Sequence, residues 1–109
     1  MTALRYAVML VAAPALLGAA TAPPRAPATY TVVIDKMKFG AVPANARVGD
    51  TILWVNRDMF RHTATARDGS FDIDLPPAKA GKTVLKRAGT VAFWCKFHPG
   101  MKGQIVIAP

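Results

Sequence analysis

The stretch TVAFWCKFHPGMKGQIVI, residues 90–107, holds two short alternating segments around a tight loop. In TVAFWC, Val91, Phe93 and Cys95 share one face of a strand, and Ala92 and Trp94 share the other. Cys95 therefore points inward with Val91 and Phe93, at the last position of that strand. In QIVIA, Ile105 and Ile107 start a return strand. The loop between them carries Cys95, His98 and Met101 at i, i+3 and i+6. On a helix this spacing would spread the three along one face over about 9 Å. Pro99-Gly100 argues against a continuing helix, so the loop is read as a turn that curls the three side chains towards a common centre.

Working outward, the same period recurs. TYTVVI (29–34) is rich in β-branched residues, as a strand requires. KMKFGAVPANARV places Met37 and Phe39 on one face and is then broken by Gly40 and Pro43. In VGDTILWVN, Gly49-Asp50 signals a turn, and Ile52 and Trp54 alternate with Leu53 and Val55. Asn56-Arg57-Asp58 forms another turn before HTATA, which sets His62, Ala64 and Ala66 against Thr63 and Thr65. FDIDL alternates like a half-buried edge strand ended by Pro76-Pro77, and KTVLKRAG supplies one more strand before the Gly89 turn. Seven or eight short strands with regular turns and no helical period predict an all-β chain, an antiparallel β-sandwich.

The N-terminal stretch MTALRYAVMLVAAPALLGAA stands apart. Arg5 gives a basic start, Ala7 to Leu17 an apolar run, and Gly18-Ala19-Ala20 a small-residue cleavage site. Residues 1–20 are expected to be an export signal, cut after Ala20 or, less favourably, after Ala22, where Pro23 would become the new N-terminus. The apolar run is too short for a membrane-spanning helix, which needs about 20 residues, so no stable membrane insertion is expected after cleavage; the alternative is an uncleaved membrane anchor. Residues 21–28 (TAPPRAPA) read as a semi-rigid Pro/Ala-rich tether, and 29–109 as a single domain.

A domain this small gains from a staple. Its single cysteine excludes an internal disulfide, and an unpaired cysteine in an exported protein is a liability unless something occupies it. A metal would answer both needs. The formal charge is +8, from 14 Lys and Arg against 6 Asp and no Glu. The cations are scattered through strands and turns, and export argues against nucleic acid. An acidic protein partner or surface fits better.

Taken singly, a buried Cys is usually a small hydrophobe, a Met is usually core, and a His before Pro usually lies at the surface. Their combination is different, because thiolate, imidazole and thioether are soft donors suited to copper. The only other histidine, His62, opens a strand after a turn and belongs at an end of the sandwich, where the Cys95 loop could also lie. Two histidines, one thiolate and a weak axial methionine form the trigonal set of blue-copper electron-transfer sites. Zinc rarely uses a thioether, and a catalytic Cys–His pair would leave Met101 without a role. Trp94 and Phe97 are also expected to crowd the sulfur.

VGDTILWVNRDMFRHTATA and GTVAFWCKFHPGMKGQIVI resemble the small blue-copper proteins of the cupredoxin family. The likeness is nearest to the amicyanin-like branch, which shares the Cys-x2-His-x2-Met spacing. It runs from about Thr29 to Ala108. The resemblance implies a Greek-key β-sandwich with one copper ion near one end, His62, Cys95 and His98 as equatorial ligands and Met101 as the axial one. It implies electron shuttling between larger redox proteins (a dehydrogenase, a c-type cytochrome or an oxidase) rather than enzymatic activity.

Two departures stand out. Relatives often have Asn after the first ligand histidine, tying the two ligand loops together; here Thr63 stands there, so the brace is weaker or made differently. Amicyanin-like loops usually have Pro before the second histidine, where this chain has Phe97, whose N–H is expected to reach the Cys95 sulfur. His98 is the expected electron port, ringed by Phe60, Phe97, Pro99 and Met101, with Arg57, Arg61, Lys96 and Lys102 steering an acidic partner. A monomer that is periplasmic or otherwise exported is expected. The alternative is a periplasmic copper carrier or storage module, for which Met59 is the only nearby spare donor.

Overall fold

The computed structural model describes residues 25–109, together with Thr2, Ala3 and Ala7. Apart from those three residues, the expected export signal at 1–20, both cleavage positions and residues 21–24 of the tether lie outside the described residues. Among the described residues, no helix is long and apolar enough to cross a membrane.

Among the described residues, eight strands form two four-stranded sheets. The first sheet has the order β2 (Lys38–Phe39), β1 (Thr29–Asp35), β3 (Thr51–Asn56), β6 (Ala80–Val84). The second has the order β5 (Asp72–Leu75), β4 (His62–Ala66), β7 (Gly89–Trp94), β8 (Lys102–Ile107). The expected sandwich is present, and the FDIDL segment is an edge strand, as its alternation predicts. One pairing departs from the antiparallel pattern: β1 runs parallel to β3, with Thr29 opposite Thr51 and Ile34 opposite Asn56. A period-2 pattern specifies which face is buried but not the direction of the neighbouring strand. Parallel pairing brings the segments before β1 and β3 together at one end, and those after them together at the other.

Between the sheets, Val32, Ile34, Ile52 and Trp54 of the first meet Ala64, Leu75, Phe93 and Ile105 of the second, all fully buried or nearly so. Trp54 sits at the centre, edge-on to Phe93 at 5.1 Å and to Phe39 at 5.9 Å, while Phe39 meets Phe93 at 4.9 Å. Each such pair adds about 0.5–1.5 kcal/mol beyond the area it buries. Trp54 Nε1–H donates to Thr83 Oγ1 at 3.4 Å, so the indole is not left with an orphaned donor. Phe93 lies over Gly103, its cross-strand partner, where a Cβ would stand 2.6 Å from the ring. The absence of a side chain there lets β7 and β8 stay paired beneath the ring. That pairing anchors both ends of the Cys95–Met101 loop.

Candidate metal centre

His62 is the first residue of β4 and Cys95 the first after β7; both are completely buried. β4 and β7 pair with Thr65 opposite Trp94, which carries both residues to the same end of the sandwich. The loop after Cys95 closes on itself through backbone bonds: His98 N–H to Cys95 O at 3.3 Å, Met101 N–H to His98 O at 2.8 Å, and Cys95 N–H to Met101 O at 3.0 Å. It thus returns His98, half-buried, to the sulfur, and leaves Met101 buried just before β8.

His62 Nδ1, His98 Nδ1 and Cys95 Sγ form a triangle with sides of 3.2, 3.6 and 3.7 Å. The point equidistant from its corners lies about 2.0 Å from each, close to the ~2.0–2.3 Å of metal–nitrogen and metal–sulfur bonds. These are the His, Cys and acidic residues that come together with metal-ligand spacing among the described residues. The pocket fits a single ion held by two imidazoles and a thiolate.

Neighbouring residues orient these donors. His62 Nε2 lies 2.8 Å from Asp58 Oδ2. Donation of the Nε2 proton to that carboxylate leaves Nδ1 with its lone pair towards the sulfur, the tautomer a metal ligand needs. Asp58 also accepts the N–H groups of Lys36 at 2.7 Å and Met37 at 2.9 Å. Those two residues form the β1–β2 turn with φ of 51° and 61°, a left-handed conformation disfavoured for side chains of their size. Burial would push the Asp58 carboxyl up, but the Met37 N–H, the His62 imidazole and the Lys36 N–H outweigh it and hold its pKa below the usual range. Asn56 clamps the intervening turn: its Nδ2 donates to Phe60 O at 2.8 Å and Leu75 O at 2.9 Å, and its Oδ1 accepts from Asp58 N–H at 2.8 Å. The sequence marked Asn56–Asp58 only as a turn. An Asp four residues before a candidate ligand His was the signal that could have revealed Asp58.

The sulfur has a different neighbour from the one expected. Thr63 N–H donates to Cys95 Sγ at 3.4 Å, whereas Phe97 N–H makes no bond to it among the described residues. Trp94 does not crowd the sulfur either. It sits on the opposite face of β7, half-buried, with the Arg67 guanidinium 4.0 Å above its ring. Phe97 is 51% exposed, with Arg61 5.2 Å from its ring centre. Phe60 does stand beside His98, edge-on at 6.3 Å.

No family model matches the chain. It is 31% identical over 107 residues to amicyanin of Paracoccus denitrificans, a span covering 85% of this chain and 82% of that protein. The chain belongs to the cupredoxin family, in its amicyanin-like branch. The methylamine utilization protein MauL of Methylorubrum extorquens is 34% identical over 89 residues, covering 78% of each chain. Among solved structures, a reduced Cu(I) form of an amicyanin variant at pH 4 superposes with a TM-score of 0.65 at 28% identity, covering 72% of this chain and 81% of that one.

Within this cupredoxin the missing Asn has a substitute. Thr63 Oγ1 accepts the Lys96 N–H at 2.9 Å, tying the His62 strand to the Cys95 loop. The hydroxyl continues to Thr65 Oγ1 at 2.9 Å, Thr65 donates to Asp72 at 2.8 Å, and Asp72 accepts the Lys96 ammonium at 2.8 Å. The ring begins and ends on Lys96. The brace is therefore made differently, through a hydroxyl chain ending on a carboxylate. Two of the four expected steering cations are already engaged, Arg61 with Asp74 at 2.7 Å and Lys96 with Asp72 at 2.8 Å.

Proposed function

We propose that the chain is an exported type 1 copper protein that passes single electrons between larger redox proteins. His62 Nδ1, Cys95 Sγ and His98 Nδ1 would hold the ion, and Met101 would add a fourth, weaker sulfur donor. The observation that carries this reading is the donor triangle, which has the size of a metal coordination plane and the soft chemistry that suits copper. The Cu(I) state named for a structural neighbour supports the same metal. When bound, copper supplies the one-electron Cu(II)/Cu(I) couple. The protein's part is to hold the donors so that neither state demands a different geometry. Asp58 fixes the His62 ring, Thr63 ties the two ligand segments, and three backbone bonds close the loop. His98, half-buried beside the exposed Phe60 and Phe97, is the port through which electrons enter and leave.

The visible spectrum of the copper-loaded protein tests this directly. An intense thiolate-to-Cu(II) blue band is expected, and it should vanish in Cys95→Ala. Copper that binds without that band would overturn the reading. The alternative of a copper carrier draws on Met59, 88% exposed and next in sequence to Asp58, but complete burial of Cys95 and His62 opposes exchange. Copper that survives redox cycling and resists a chelator favours the shuttle; ready transfer to an acceptor favours the carrier. The partners are redox proteins met in the periplasm, and the likeness to a methylamine utilization protein supports a partner in amine oxidation.

A further inference from the structure

The structure leaves the positive charge of the surface unevenly spent. All six aspartates are engaged: Asp35 by the Lys36 N–H, Asp50 by Arg25, Asp58 by His62, Asp68 by Arg87, Asp72 by Lys96 and Asp74 by Arg61. Arg61 and Lys96, beside the candidate copper end, are therefore locally neutralised. Arg67 and Lys102 take part in no ion pair among the described residues. They flank a groove of about 310 Å3 on the outer face of β7 and β8, lined also by Ala92, Gly103 and Gln104. Ala92, opposite Gln104, offers that face only a methyl group, so the sheet surface dips between the two cations.

We propose that this groove is the docking site for an acidic segment of a partner protein. The claim deepens the proposed electron-carrier role by locating partner contact, and it rests on that role only for what the partner does. Arg67 is held at two points, side chain and backbone: its guanidinium stacks on Trp94 at 4.0 Å, and its N–H donates to Ala92 O at 2.8 Å. Stacking through the plane leaves the edge donors of the fork free to take a carboxylate side-on. Lys102, opposite Trp94 in the ladder, adds a point charge across the groove. No carboxylate lines the groove, and the chain carries a net charge of +8, so charge complementarity favours an acidic occupant from another molecule. A peptide carrying Asp or Glu at successive positions matches that demand.

The test is a titration of the isotopically labelled exported protein with a short oligoglutamate peptide at low salt, read by amide resonances. Shifts concentrated at Arg67, Ala92, Trp94 and residues 102–104, and abolished by salt, are expected. Arg67→Ser with Lys102→Gln should weaken binding about fivefold or more. Lys102→Gln alone, which leaves the Trp94 stack intact, should weaken it about twofold. Lys82→Gln with Lys86→Gln removes equal charge elsewhere and should leave binding nearly unchanged. Shifts scattered over the surface, shifts centred on Phe97 and His98, or equal weakening by both double variants would overturn the proposal. The blue band of the same copper-loaded sample reports separately on the metal reading.

Discussion

Two aspartates bracket β3, and they hold the molecule in different ways. Asp50, just before the strand, accepts Arg25 through both terminal guanidinium nitrogens at 3.0 and 2.8 Å and the N–H groups of Ala28 and Arg47 at 2.9 Å each. Asp58, just after it, accepts two turn N–H groups and one imidazole. Parallel pairing of β1 with β3 explains both positions. It sets the segment entering β1 beside Asp50 and the turn leaving β1 beside Asp58. The partner makes the difference. A guanidinium is always charged, so it draws the Asp50 carboxyl far below the usual carboxylate range. A histidine that must stay neutral at Nδ1 offers one donated proton, which orients a ring more than it adds attraction. One end is built for cohesion and the other for aim.

Substitution should separate the two roles. Asp50→Ala strips four hydrogen bonds from a buried position and leaves a guanidinium without its partner, a loss of about 3–5 kcal/mol. In a domain of this size that lowers Tm by about 12 °C or more, with the blue band unchanged. Asp58→Ala should cost less in Tm but weaken copper affinity about 10–100-fold, since the His62 ring loses the group that sets its tautomer. A larger Tm loss at Asp58 than at Asp50, with metal affinity intact, would reverse the comparison.

Acid should act on the Asp50 end. Its folded pKa lies below its unfolded value of about 3.9, so the contribution is fully present above about pH 5 and is lost as pH falls towards the folded value. Arg25→Ala, which removes a guanidinium one-third exposed, should cost about 2 kcal/mol at neutral pH and flatten the fall in Tm between about pH 5 and 3. An unchanged acid slope would show that other carboxylates dominate it. Next in size is Thr63→Val, which leaves the Lys96 N–H without its acceptor at a cost of about 1–2 kcal/mol. Thr63→Asn should recover most of that loss, because its amide oxygen restores an acceptor.

Much of the site was legible because it is local and periodic. Alternation in TVAFWC placed Cys95 inward, Pro99-Gly100 turned the loop, and the scarcity of histidine left His62 as the one further imidazole. The residues that aim the donors were not legible. Asp58 acts on backbone N–H groups more than 20 residues away in sequence, as Asp50 acts on that of Ala28 at the other end, and backbone donors leave no trace in residue type. Thr63 left a weaker brace and a differently made one equally open, because a sequence shows the missing amide but not the hydroxyl chain through Thr65 and Asp72. Charge pairing was hidden for a related reason. Arg61 and Lys96 count as free cations until β4–β5 pairing and the Cys95 loop bring Asp74 and Asp72 to them.

Phe97 sharpens the contrast from the other side, as a residue conspicuous in sequence but minor in structure. Its N–H was expected to reach the Cys95 sulfur, where a hydrogen bond would draw density from the thiolate and favour Cu(I). The sulfur instead receives the Thr63 N–H at 3.4 Å, a backbone donor fixed by β4 and untouched by substitution at position 97. Phe97→Pro therefore removes no donor to the sulfur. What changes is the contact with Arg61 and the freedom of Lys96, which Pro biases towards extended backbone. The reduction potential of the copper-loaded variant should stay within about 30 mV of the parent, a factor of about three in the Cu(II)/Cu(I) equilibrium. A fall of about 60 mV or more would mean that the Phe97 N–H meets the thiolate once copper is bound, and that the ligand loop, unlike the Asp58 clamp, rearranges around the metal.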